Sequence, residues 1–214
     1  MVRTRFLVNA AGLFSDELDR MLGYERFTVQ PRRGELIVFD KLARPLLSRI
    51  VLAVPTGTTK GVLVSPTVFG NLILGPTAED VERRDDTSST ADGLAFLRAE
   101  GERILPELLR HEVTAVYVGL RAATEHSDYE IAFEDGYACV GGIRSTGLTA
   151  SLAIAEHVRE GLVASGLQLR LKQDAPNIRM PNIGELAARP YEHGGRVVCF
   201  CERVTLGEIG RAHV

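Results

Sequence analysis

The sequence predicts an α+β fold, a mostly antiparallel sheet flanked by helices. Three observations predict it. Between Phe27 and Gly75, four short apolar runs are separated by Pro, Gly and Thr, the punctuation of antiparallel strands. Two longer segments, about Ala91–Leu109 and Gly147–Val163, carry apolar residues at helical spacing. The first residues, Arg5–Asn9, read as a buried strand that turns through Ala10-Ala11-Gly12 into a helix, like the closing piece of a βα unit.

The elements follow in order. In the first helix Ser15 is a good N-cap, and Leu18, Met21 and Leu22 supply the helical spacing. The four apolar runs are Glu35–Phe39, Ile50–Val54, Gly61–Val64 and Asn71–Leu74, with a hairpin turn across Val64–Asn71. Glu79–Asp92, which holds Arg83-Arg84-Asp85-Asp86, reads as a solvated loop. The Ala91–Leu109 helix presents Leu94, Leu97, Ile104, Leu105 and Leu108 on one side, and Pro106 interrupts it or starts a new turn. Strands return at Thr114–Arg121, Tyr129–Phe133 and Tyr137–Gly141, the last two joined by a turn at Glu134-Asp135-Gly136. In the following helix Leu148, Leu152, Ala155, Val158 and Leu162 line one face. Beyond Gly166 the composition loosens into an extended, proline-bearing linker. Val197–Cys201 then opens a further strand, with Thr205-Leu206-Gly207-Glu208 as a capping-box helix start.

Composition bounds the function. The chain has 214 residues, 45% of them apolar and 25% charged, as in an ordinary globular protein large enough to bury a core. A net charge of −3 and scattered Lys and Arg argue against a general affinity for nucleic acid. No apolar run reaches membrane-spanning length, and the N-terminus lacks signal-peptide form, so a cytoplasmic location is expected. Three cysteines without a secretory signal make no disulfide framework, and Cys139 in its apolar run reads as a small buried hydrophobe.

The richest segment for chemistry is Val140–Ser151, which joins a strand to a helix through three glycines and several hydroxyl residues. Such a junction either holds an anion on unpaired amides at a helix N-terminus or is a tight turn with ordinary caps. Gly142–Ser151 resembles the C-terminal flavin-contacting segment of the D-amino-acid-oxidase-like FAD-dependent oxidoreductases, nearest in form to the FAD-dependent glycerol-3-phosphate dehydrogenases. Val8–Gly12, Pro31–Glu35 and Gly119-Leu120-Arg121 with Thr124 resemble further family segments, in the same order along the chain.

The resemblance implies FAD as cofactor, contacted by Ala11, Gly12, Gly142, Ile143, Thr146, Gly147, Leu148 and Thr149. It implies hydride transfer to flavin N5 from a substrate C–H beside a hydroxyl or amine, with charge at N1 and the C2 oxygen met by backbone donors. Arg121 would grip a substrate carboxylate or phosphate with its planar fork, or else pair at the surface with Glu125 or Asp128. His126 is a candidate general base or simply a solvated loop histidine. Arg33 and Arg144 would meet the substrate or form salt bridges.

Val198–Ile209 resembles the opening of the small [2Fe–2S] domain typified by bacterioferritin-associated ferredoxin, with Cys199 and Cys201 as its C-x-C pair. A later C-x-x-C does not follow, so no cluster is expected in this chain alone, and zinc fails on the same ligand count. No G-x-G-x-x-G follows a strand. A fragment is therefore expected, holding FAD weakly or not at all by itself. Its parts would be residues 1–26 as a remnant of a Rossmann-like FAD domain, 27–133 as the substrate domain, 134–166 as the closing FAD-contacting strand and helix, 167–196 as linker, and 197–214 as the start of the cluster domain. The predicted function is oxidation of a small anionic alcohol, such as glycerol 3-phosphate or a 2-hydroxy acid, with a possible electron-acceptor subunit as partner. The alternative is a non-catalytic binding or assembly module. A flavin absorption spectrum discriminates the two.

Overall fold

The computed structural model describes residues 3–54, 61–170, 172–174, 176–177, 197–199 and 204–205, the last two stretches as backbone only. The strands are β1 (Leu7–Asn9), β2 (Val29–Phe39), β3 (Val51–Leu52), β4 (Leu63–Pro66), β5 (Leu72–Gly75), β6 (Glu79–Asp80), β7 (Val113–Thr124), β8 (Glu130–Glu134), β9 (Tyr137–Gly141), β10 (Val197–Cys199) and β11 (Val204–Thr205). The helices are α1 (Ser15–Met21), α2 (Ala91–Ile104) and α3 (Gly147–Ala164). The α+β expectation holds. Two compact units share the chain, and β2 and β7 each run from one unit into the other.

One unit holds Gly34–Ala78 and Thr87–Gly119. Its sheet is antiparallel in the order β3-β4-β5-β2, with Val64 opposite Leu74 and Val38 opposite Ile73. The expected hairpin closes where the Thr67 N–H donates to the Asn71 carbonyl at 2.9 Å. Alternation sends Ile37, Phe39, Val64, Leu72 and Leu74 to one face, where Leu97 of α2 and Leu108 complete a buried core. Full burial of each such side chain is worth about 1.5–3 kcal/mol. Pro106 ends α2 at Ile104 and begins a 3-10 turn, Pro106–Arg110, because a proline within the helix would lack an N–H and clash with the preceding turn.

Glu35 anchors α2. Wholly buried, its Oε1 accepts from the Thr90 N–H at 3.0 Å and from the Thr90 hydroxyl at 2.8 Å, while Thr90 Oγ1 accepts from the Gly93 N–H as the N-cap. A Cβ on Gly93 would lie 2.5 Å from Glu35 Cδ, so this glycine is required by close approach.

The other unit holds the described parts of Met1–Arg33, Glu79–Asp86 and Leu120–Asn177. Its sheet runs β1-β9-β8, with β1 parallel to β9 and β8 antiparallel to β9. The expectation of a buried first strand is corrected. Leu7 and Val8 are exposed and only Asn9 is buried, because among the described residues β1 is paired on one side alone, by β9. Asn9 also fixes the strand end. Its Nδ2 donates to the Ser15 carbonyl at 2.7 Å and to Tyr137 Oη at 2.9 Å, and its Oδ1 accepts from the Ala11 N–H at 3.3 Å.

The first helix is inverted relative to expectation. Leu18, Met21 and Leu22 are exposed, whereas Ser15, Asp16 and Asp19 are buried. Ser15 does not cap it, since its hydroxyl turns back to the Gly12 carbonyl at 2.8 Å. The polar face is inward because arginines meet it. Asp16 accepts from Arg84 at 2.6 and 2.8 Å, from Arg20 at 2.8 Å and from the Val29 N–H at 3.0 Å. Burial alone would push the Asp16 carboxyl up, but the Arg84 hydrogen bonds and charge, with Val29 and Arg20, hold it at about 2.

The stretch expected as a solvated loop is thereby corrected as well. It contains β6, and Arg84 within it reaches Asp16 and the Leu13 carbonyl. The last correction concerns α3. Val158 and Leu162 turn inward onto Ala138 and Val140, with Ile154 beside them, but Leu148 is 94% and Leu152 84% exposed. Gly161 lies so close to the Phe133 ring that an added Cβ would fall 2.5 Å from its Cδ1. Alanine normally stabilises a helix interior by about 1 kcal/mol over glycine. Here the overlap with Phe133 outweighs that gain, so Gly161→Ala should lower the urea midpoint rather than raise it.

Candidate functional site

The candidate site is built on two strand ends in one unit. Strand β1 ends at Asn9, and the chain turns at Ala11 and Gly12, both exposed, with Gly12 at φ +58°. A Cβ on Gly12 would meet nothing within 4 Å, so the glycine serves the backbone turn and leaves an open approach to it. Strand β9, adjacent and parallel to β1, ends at Gly141, and Gly142 follows at φ +67°. Ile143 anchors the turn by packing with Val140 and Val158. Then Gly147, Leu148 and Thr149 begin α3.

That helix start has an unusual donor set. Its first turn holds no acidic residue, and Thr146, the residue ahead of it, makes no side-chain cap bond. The first-turn amides therefore point outward at the positive end of the helix dipole without a carboxylate or hydroxyl from the cap position. Beside them Leu148 is almost fully exposed. Donors next to open apolar surface suit a flat, partly apolar acceptor such as a flavin ring edge, so the residues present fit FAD.

The arginines divide. Arg33 is buried, with its guanidinium donating to Glu79 at 2.7 Å and to Asp86 at 3.4 Å. Of the two roles open to Arg33, substrate contact or salt bridge, the structure shows the ion pairs with Glu79 and Asp86. Arg32 bonds both oxygens of Asp80, at 2.6 and 3.0 Å. Arg121 near the end of β7 is half-buried, and burial together with the nearby Arg32 charge lowers its pKa, though a guanidinium stays protonated. Both Glu125 oxygens accept from the Thr28 N–H at 3.0–3.1 Å, and Asp128 accepts from Tyr129 N–H at 2.7 Å. Arg144 is half-buried in the turn itself.

His126 is exposed on the loop after β7, with Nε2 3.2 Å from the Arg26 carbonyl and Nδ1 3.9 Å from Glu130. A carbonyl only accepts, so Nε2 carries the proton there and Nδ1 is the basic nitrogen. Sequence reasoning missed Tyr129, whose hydroxyl is hydrogen-bonded to Thr146 Oγ1. Its only sequence signal was an aromatic residue in the short polar loop ahead of β8. Cys139 is fully buried and burial pushes its thiol up, in keeping with a core role. Cys199 closes β10 as backbone, while its side chain and all of Cys201 lie outside the described residues. Among the described residues no cluster of His, Cys, Asp or Glu could hold a metal ion, and no helix is long and apolar enough to cross a membrane.

The chain is 32% identical to a glycerol 3-phosphate dehydrogenase of Caloramator mitchellensis over 96% of its own length and 45% of that protein. It is 32% identical to a glycerol 3-phosphate oxidase of Mycoplasma pneumoniae over 75% of its length and 42% of the relative's. The chain thus spans a little under half the length of these relatives. The dithionite-reduced, FAD-bound structure of L-α-glycerophosphate oxidase from Mycoplasma pneumoniae superposes with a TM-score of 0.67 at 31% identity, covering 78% of this chain and 44% of that one. Residues 2–160 match the family described as FAD dependent oxidoreductase, and these are the residues that build the β1 and β9 strand ends and most of α3. The chain belongs to the FAD-dependent oxidoreductase family of the D-amino-acid-oxidase type.

Proposed function

We propose that the chain is the substrate-binding and flavin-facing part of an FAD-dependent oxidoreductase that oxidises a small anionic alcohol of the glycerol 3-phosphate kind. The observation that carries this reading is the Gly142–Thr149 turn, a set of outward amides without a side-chain cap beside the β1 strand end. The relatives named for glycerol 3-phosphate support the choice of alcohol. When bound, FAD would supply the two-electron acceptor for the hydride that leaves the substrate carbon. Ala11 and Gly12 on one strand end, and Gly142, Ile143, Thr146, Gly147, Leu148 and Thr149 on the other, would hold it. Their amides and the α3 dipole favour negative charge on the bound ring. Arg121 would fix the substrate anion through two parallel hydrogen bonds, with Arg144 close to the cofactor turn. His126 would accept the substrate hydroxyl proton at Nδ1.

FAD titrated into the purified chain should give a bound-flavin absorption spectrum. In the flavin-loaded protein Arg121→Ala should raise KM for the anionic substrate about 10- to 100-fold, the loss of a charged hydrogen-bond pair, with kcat changed less. A chain that takes up no FAD supports the second reading, a folded binding or assembly module, which the exposed Leu7, Val8, Leu148 and Leu152 also favour. As an electron outlet, Cys199 and Cys201 would contribute two thiolates of a [2Fe–2S] site completed elsewhere.

A further inference from the structure

We propose that Tyr129 is a positioning residue for the cofactor-facing turn, holding Thr146 so that the first amides of α3 stay open to an external acceptor. The proposal rests on the FAD reading of that turn. Three observations converge on the short segment Asp128–Glu130. The Tyr129 hydroxyl is hydrogen-bonded to Thr146 Oγ1, the side chain placed to cap α3, which makes no bond to the helix amides. The Tyr129 N–H donates to the Asp128 carboxylate at 2.7 Å, which fixes the backbone that projects the ring. A Cβ on Gly142 would lie 3.4 Å from the Asp128 carbonyl oxygen and from the Glu130 nitrogen, so the backbone flanking Tyr129 lies directly against the start of the turn. One segment therefore touches both ends of residues 142–146, backbone at Gly142 and hydroxyl at Thr146. Glu130 pairs with Gly141 in the β8–β9 ladder, which ties this brace to the sheet.

The physical consequence is a division of labour between two hydroxyls. A threonine ahead of a helix ordinarily satisfies a first-turn amide. Engaging its oxygen with a tyrosine hydroxyl keeps that oxygen from the helix donors and fixes the turn in one conformation before the ligand arrives, which lowers the ordering cost of binding.

A double-mutant cycle of Tyr129→Phe and Thr146→Val in the full chain tests this. Amide hydrogen exchange without FAD reads the turn itself. Each single variant should speed exchange at Ala150, whose N–H donates to the Thr146 carbonyl at 2.8 Å, about three- to ten-fold, the worth of one hydrogen bond, and the double variant should go no further. Exchange at Ile131 and Val140 in the β8–β9 ladder should be unchanged, which a general loss of structure would not allow. The dissociation constant for FAD should rise by a similar factor in each single variant. Wild-type exchange at Ala150 in both singles, or additive effects in the double, overturns the proposal. If FAD binds none of the proteins the cofactor reading fails, while the exchange cycle still decides whether Tyr129 holds Thr146.

Discussion

Replacing Asp16 with alanine is expected to lower the stability of the chain by about 3–5 kcal/mol, the cost of breaking a buried ion pair from one side. Asp16 is wholly buried and accepts from Arg84, Arg20 and the amides of Glu17 and Val29. Removing it takes both hydrogen-bonded carboxylate oxygens from the Arg84 guanidinium, which is only 18% exposed and keeps Glu17 at 3.2 Å, and loosens residues 79–86 from α1 and from the start of β2. Urea unfolding at neutral pH measures the loss, and a change below about 1 kcal/mol, the range of an exposed pair, would place the network at the surface in effect.

The same residue sets an acid limb. Its carboxyl titrates at about 2 in the folded chain against 3.8 ordinarily. A depressed folded pKa gives stability that is complete above the unfolded value and is lost as pH falls from 3.8 through about 2. That limb is worth about 2 kcal/mol. Asp16→Asn should therefore be less stable at pH 7 and show a flatter decline between pH 4 and pH 2, read as melting temperature against pH.

The second large effect is expected at Gly93. An alanine there puts its Cβ 2.7 Å from Glu35 Oε1 and closer still to Oε2, so the buried carboxylate must move. The carboxylate is the acceptor for both the backbone and hydroxyl of Thr90, so moving it also loosens the N-cap of α2. Overpacking of this kind costs about 1–3 kcal/mol and a lost cap about 1 kcal/mol, against about 1 kcal/mol gained from alanine's helix propensity. The net loss should be about 2 kcal/mol. Glu35→Asp in the Gly93→Ala background withdraws the carboxylate by one methylene and should restore part of the stability, and a purely additive pair would show that the two positions do not touch.

Much of the fold was legible because local chemistry and tertiary demand coincided. The β4–β5 hairpin, the break of α2 at Pro106 and the buried row of Leu97 and Leu108 all follow from turn residues and apolar periodicity, and the structure keeps each. The inverted α1 was not legible. Its leucines and methionine at helical spacing look like a core face, but Asp16 and Asp19 turn inward because Arg84, 68 residues downstream, and Arg26 meet them there. The same limit hid which carboxylates meet Arg33. Only the pairing of β2 with β6 brings Glu79 opposite it.

The sequence by itself determined the α+β class, the glycine turn before α3 and the family to which that turn points, since these depend on residue types at short, fixed spacing. The tertiary structure alone decided which charges are buried, that Leu7 and Val8 of β1 are exposed while Asn9 is buried, and that Tyr129 meets Thr146. Those outcomes depend on contacts between distant segments, whose partners periodicity cannot name.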